Sequence, residues 1–143
     1  MKRTSSTTSL SDLEKFARQC IAARDHPADH HWFTPFRCPT CGVVPLALTI
    51  EHHTGSKKGD FKGLIFGRCS ECGSEERIFS FTGKHRKRLR EETPACQCGS
   101  VFFVVAECER MEGDEGLLGF FDEGVVVGQC SECGRNRVFV HTD

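Results

Sequence analysis

A seven-residue signature, Gly-x-Cys-Ser-Glu-Cys-Gly, occurs twice in this chain, at Gly67-Arg68-Cys69-Ser70-Glu71-Cys72-Gly73 and at Gly128-Gln129-Cys130-Ser131-Glu132-Cys133-Gly134. Each copy follows a second close cysteine pair, Cys38/Cys41 and Cys96/Cys98, and each of those pairs stands immediately before a glycine, Gly42 or Gly99. A repeat at homologous positions, rather than a high cysteine count, marks an internal duplication. The likeness continues past the cysteines, where Glu76-Arg77-Ile78-Phe79 reads against Asn136-Arg137-Val138-Phe139.

Length makes this pattern decisive. The chain has 143 residues, so a duplicated unit leaves two lobes of about fifty residues behind a leader. Lobes of that size bury too little apolar surface to offset chain entropy without disulfides or a metal. Ten cysteines are compatible with either. Residues 1–20 contain no apolar run that resembles a signal-peptide core, and no stretch approaches transmembrane length. That places the chain in the reducing cytoplasm, where close cysteine pairs read as metal ligands.

The spacing expects this organisation: a polar leader over 1–10, an amphipathic helix and aromatic connector over 11–35, a first lobe over 36–82, a basic linker over 83–93 and a second lobe over 94–143. Ser11 and Glu14 form a capping-box pattern ahead of the helical stripe Leu13, Phe16, Ala17, Cys20 and Ile21, which gives a helix over 11–24. Cys20 falls on its apolar face as a small core residue. His26, His30 and His31 surround Pro27, which breaks any helical alignment of ligands, so that stretch reads as a polar connector. Trp32, Phe33 and Phe36 are expected to pack on the first lobe. Strands are expected at Val43–Ile50, with Pro45 demoting it to an edge or a bulge, and at Phe61–Phe66 and Arg77–Phe81. The second lobe repeats them at Val101–Ala106, Val125–Val127 and Arg137–Val140.

A Cys-x-x-Cys-Gly turn points two sulfurs at one ion, and its glycine accepts the positive φ that closes the turn. Two such turns at the end of a hairpin meet at a single site. The organisation resembles the zinc-ribbon family, over residues 36–82 and, less completely, 94–142. The resemblance implies a small, metal-stabilised, mainly β fold of two tandem ribbons, each a hairpin plus a third strand, behind the helix. It implies two zinc ions, one on Cys38, Cys41, Cys69 and Cys72, the other on Cys96, Cys98, Cys130 and Cys133. The departure is Cys96-Gln97-Cys98, one residue short of the usual turn, which is expected to strain that half-site. Cys108 lies too far along its strand to replace either member. Iron is the rival metal for tetrahedral sulfur. Four thiolates close the shell where a catalytic zinc keeps a position for water, so a structural metal and a non-enzymatic protein are expected.

Charge separates the copies. The formal net charge is −1, yet the cations gather before residue 91 and the acids after it. Lys57, Lys58 and Lys62 in the first hairpin, with Lys84, Arg86, Lys87, Arg88 and Arg90 in the linker, are candidate phosphate contacts. In the second hairpin, acids surround Leu117, Leu118, Phe120 and Phe121, which are candidate contacts for a protein partner. Asp114-Glu115 superficially resembles the acidic tip pair of transcript-cleavage ribbons, but lacks the adjacent arginine. The sequence therefore expects an interaction module for nucleic acid or for protein, with an enzyme-accessory role as the lesser alternative.

Overall fold

The computed structural model describes residues 9–21, 30–53, 63–81, 88–112 and 120–142. Among these residues one helix, α1 (Ser9–Ile21), precedes eight strands: β1 (His30–Pro35), β2 (Leu46–His53), β3 (Gly63–Cys69), β4 (Glu75–Phe81), β5 (Arg88–Glu92), β6 (Phe102–Glu112), β7 (Phe120–Cys130) and β8 (Asn136–Thr142). The chain is mainly β, as expected. β2 begins one residue after Pro45, so the proline's missing N–H lies outside the ladder and the strand sits inside the sheet, not at its edge.

The two hairpins are not separate lobes. Strand order β4-β3-β2-β6-β7-β8 makes one antiparallel sheet, joined where Leu46 faces Phe103 and Ala47 faces Phe102. β2 and β6 overlap only at these first residues and then run away from each other. Each leaves an edge open beyond the overlap, and the strand that leads into the other repeat fills it. β1, which leads into Cys38, pairs with β6, while β5, which leads into Cys96, pairs with β2. The exchange is reciprocal and in register: Trp32 opposite Glu109 corresponds to Arg90 opposite His52.

Two expectations are corrected here. His30 and His31 belong to a strand rather than a connector, and the Trp32–Phe33 segment pairs with the second repeat, not the first. The basic linker ends as strand β5. Charged side chains suit such a short edge strand because they discourage pairing with other chains.

A single core lies on the inner face and draws on both repeats, with Leu46, Leu48, Ile50 and Ile65 packed with Phe103, Val105, Val126 and Val140. The outer face of β6 and β7 is covered by α1. Leu13, Ala17 and Ile21, spaced one helical turn apart, pack on Val104, Ala106, Cys108, Val125 and Val127. β6 is therefore buried on both faces, which is why Phe102–Ala106 is a continuous apolar run. β2 alternates instead, with Leu46, Leu48 and Ile50 inward and Ala47, Thr49 and Glu51 half-buried outward. The helix starts at Ser9, so Ser11 sits inside it and is not its cap. Glu14 pairs with Arg18 one turn on at 2.7 Å.

The copies also differ by one residue from the alignment their sequences suggest. Gly67 pairs with Glu76 and Gly128 with Arg137, and both hairpins carry a bulge one step later, at Ile65/Phe66 and at Val126/Val127. Ile78, not Phe79, is thus the counterpart of Phe139. Each is the extra residue of its bulge and is thrown onto the preceding glycine. Ile78 meets Gly67 beside Leu46, and Phe139 meets Gly128 beside Phe103, which it contacts edge-on with ring centroids 5.1 Å apart. The opening glycine of the repeated signature makes room for this side chain. A Cβ at Gly128 overlaps the Phe139 ring, whereas one at Gly67 comes to 3.0 Å from the flexible end of Leu46. Gly128→Ala is expected to destabilise the metal-loaded protein by about 1–3 kcal/mol in denaturant unfolding, and Gly67→Ala by less than about 1 kcal/mol. Equal effects would contradict this packing.

Candidate metal centres

The eight cysteines of the repeated signature and its upstream pairs come together as two groups of four, Cys38, Cys41, Cys69 and Cys72, and Cys96, Cys98, Cys130 and Cys133. Within each group all sulfurs lie within 4.8 Å of one another. Cross-knuckle separations are 3.6 Å for Cys38 to Cys72, 3.4 Å for Cys96 to Cys133 and 3.5 Å for Cys98 to Cys130. A tetrahedral ion with arms of about 2.3 Å has sulfur–sulfur edges of about 3.8 Å. A disulfide needs about 2.05 Å, and all ten cysteines are free thiols. The donor set and its spacing fit a metal ion at each group.

The turns explain why the sulfurs converge. In the first knuckle Cys38 and Gly42 exchange both backbone hydrogen bonds, at 2.8 and 2.9 Å. In the second and fourth, the amides of Gly73 and Gly134 donate to the carbonyls of Cys69 and Cys130, at 3.0 Å each. Gly42, Gly73, Gly99 and Gly134 all have φ between 79° and 99°, the left-handed region their turns require. The short Cys96-Gln97-Cys98 knuckle also closes. The Gly99 amide reaches back three residues to the Cys96 carbonyl, and Cys96 donates to Ser100, both at 2.8 Å. The missing residue converts a five-residue turn into a four-residue one and leaves Cys98 Sγ 3.5 Å from Cys130 Sγ, so the short knuckle closes through the tighter turn.

Backbone amides face the sulfurs, with Glu71 and Cys72 donating to Cys69 Sγ and Glu132 donating to Cys130 Sγ. The sites differ in what lies beside them. Ser74 Oγ is 3.2 Å from Cys72 Sγ and 3.7 Å from Cys38 Sγ. Its counterpart is Arg135, whose guanidinium donates to Gln97 in the short knuckle. Arg137 ties down the chain before that knuckle through the Ala95 carbonyl at 3.0 Å.

Ionisation is favoured at two thiols of the first group and one of the second, with the Ser74 hydroxyl holding Cys72 below the usual thiol range. The amides of Cys41 and Thr40 pull Cys38 down to about 6, and the Cys98 amide pulls Cys96 down to about 7. Burial, then its hydrogen bond with Cys69, pushes Cys41 up to about 12. At Cys98 the Ser100 amide acts to lower the value, but Cys130 and burial outweigh it and bring it to about 12. A metal ion has to displace the protons that remain. Cys38 and Cys96 favour the ion above their folded values and oppose it once protonated. Metal affinity is therefore expected to fall steeply as pH drops through 7 to 6, measured by competition with a chromophoric chelator. Affinity that is flat across that window would contradict thiolate ligation.

The other singled-out residues divide as follows. Cys108 is fully buried in the helix-facing core with Cys20 packed beside that cluster, and neither belongs to a sulfur group. Burial pushes the Cys108 thiol up to about 11. Arg88 and Arg90 lie on β5 opposite His53 and His52, and Arg90 is an exposed partner of Glu92 at 3.7 Å. Lys57, Lys58, Lys62, Lys84, Arg86 and Lys87 lie outside the described residues, as do Asp114, Glu115, Leu117 and Leu118. Phe120 and Phe121 open β7, opposite Glu112 and Met111. No helix among the described residues is long and apolar enough to cross a membrane. Sequence reasoning missed the contribution of Ser74 and Arg135, which follow the last glycine of each signature and carry no spacing signal of their own.

No protein-family model, curated protein or solved structure matches the chain.

Proposed function

We propose that this chain is a non-enzymatic module of two tandem zinc ribbons, in which zinc is structural and the first ribbon contacts nucleic acid. The observation that carries the reading is the pair of four-sulfur groups. Thiolate is the soft ligand that suits zinc, and four protein donors fill a tetrahedral shell. The zinc would be held by Cys38, Cys41, Cys69 and Cys72 at one site and by Cys96, Cys98, Cys130 and Cys133 at the other. It would supply folding free energy rather than a reactive water.

Topology supports the choice of partner. Lys57, Lys58 and Lys62 lie between β2 and β3, and Lys84, Arg86 and Lys87 between β4 and β5. The strand ends flanking both segments are neighbours, since His52 faces Gly63, Gly63 faces Phe81 and His53 faces Arg88. The flanks of two basic segments far apart in sequence thus lie together at one end of the first ribbon. The ends of β6 and β7 that flank the acidic segment lie at the other end of the sheet, because β2 and β6 diverge from Leu46 and Phe103. Flanks at opposite ends of the sheet leave the basic and acidic segments little mutual attraction, as screening acts over about 8 Å, and contact with phosphate accounts for the basic pair better.

Binding to mixed-sequence DNA or RNA is expected to weaken steeply with salt, by about 0.7–0.9 log units per log unit of salt for each phosphate contact. Replacing Arg86, Lys87 and Arg88 with glutamine should lower that slope by about 2. Binding that is absent or insensitive to salt would contradict the nucleic-acid reading and leave a protein adaptor.

A further inference from the structure

We propose that the two metal sites are energetically coupled, so that filling either one raises the affinity of the other. This rests on the reading of both cysteine groups as zinc sites. The shared core and the exchanged strands make it a property of the whole chain rather than of either ribbon.

Three features link the sites. The first is a continuous row across four neighbouring strands: Cys69 faces Leu46, Leu46 faces Phe103, and Phe103 faces Cys130. One ligand of each site terminates the row, and all four residues are buried in the same core. With strands about 4.8 Å apart, the two cysteine backbones are about 15 Å from each other. The second is the anchoring of the later knuckles beside that row. Ser70 donates to the Pro45 carbonyl and Ser131 to the Phe102 carbonyl, both at 3.0 Å. Each bond grips the residue immediately before Leu46 or Phe103.

The third is the exchange of lead strands. Cys38 is delivered by β1, which is held on the second repeat, where the Phe36 amide also donates to the Val105 carbonyl at 2.9 Å. Cys96 is delivered by β5, which is held on β2 of the first repeat. The first knuckle of each site is therefore positioned by the hairpin of the other. An ion that closes one hairpin orders the template on which the other site's first cysteine is presented. The cost of ordering the common core falls mainly on the ion that binds first, and the second meets a site already assembled.

The test is zinc titration of the full chain, followed by chelator competition and native mass spectrometry. Cys72→Ser and Cys133→Ser each remove one exposed ligand, from the first and the second site respectively. The product of the two stepwise constants of the unmodified chain is expected to exceed the product of the single-site constants of these variants by about tenfold or more. Equal products would overturn the proposal. A chain that binds no zinc would instead overturn the zinc reading beneath it. Leu46→Ala keeps all eight cysteines, and covers the case in which the serine variants do not fold. At half-loading the unmodified chain should show mostly empty and two-zinc species, with one-zinc chains well below the roughly half expected for equal independent sites, and Leu46→Ala should raise that share. A one-zinc share that Leu46→Ala leaves unchanged would overturn coupling through this row.

Discussion

Leu46 and Phe103 face each other where β2 and β6 begin, and the rest of the molecule is arranged around that pair. On either side stand Cys69 and Cys130, each the first sulfur of a repeated signature. Behind them Ile78 and Phe139 are thrown by matching bulges onto Gly67 and Gly128. Each feature depends on the one before. The bulge needs the glycine, the glycine stands two residues before the cysteine, and the cysteine is held inward because its row is buried. Two hairpins of this size have little apolar surface of their own. By facing one another they make one core from two partial ones, and the sulfur groups close its ends.

Against that shared frame the differences between the copies acquire positions. The second repeat is covered on its outer face by α1 and is apolar on both sides of β6. The first keeps an outer face of Ala47, Thr49 and Glu51, which is half-buried. Its far end gathers the flanks of two basic segments, while the flanks of the acidic segment lie at the far end of the other hairpin. The duplication supplies one sheet, and the sequence segments that flank its two ends differ in the sign of their charge.

The cysteine groups were legible because ligand spacing is a local property: two sulfurs, a turn and a glycine within five residues. The helix was legible from its stripe, although its start was misplaced by reading Ser11 as a cap. The reciprocal strands were not legible. Arg88-Leu89-Arg90-Glu91-Glu92 has the composition of a solvated linker, and only the vacant edge of β2, distant in sequence, makes it a strand. The same holds for His30 and His31, which lie on β1 and pair with β6. The alignment of Phe79 with Phe139 failed for a related reason. Similar residues lined up by identity, whereas facing in a sheet is decided by register, and one residue reverses it. Register was fixed by the glycines and bulges. The short Cys96/Cys98 knuckle could not be judged from spacing either, because its closure depends on Gly99 taking a positive φ of 99°.

That eight thiolates close this core around two ions is tested most directly by zinc-edge X-ray absorption on the purified chain, combined with its metal content. The proposed zinc reading predicts two zinc ions per chain, each with four sulfurs at about 2.3 Å and no nitrogen or oxygen in the shell. A single ion per chain, a mixed shell, or a mass deficit showing the signature cysteines joined as disulfides would contradict it.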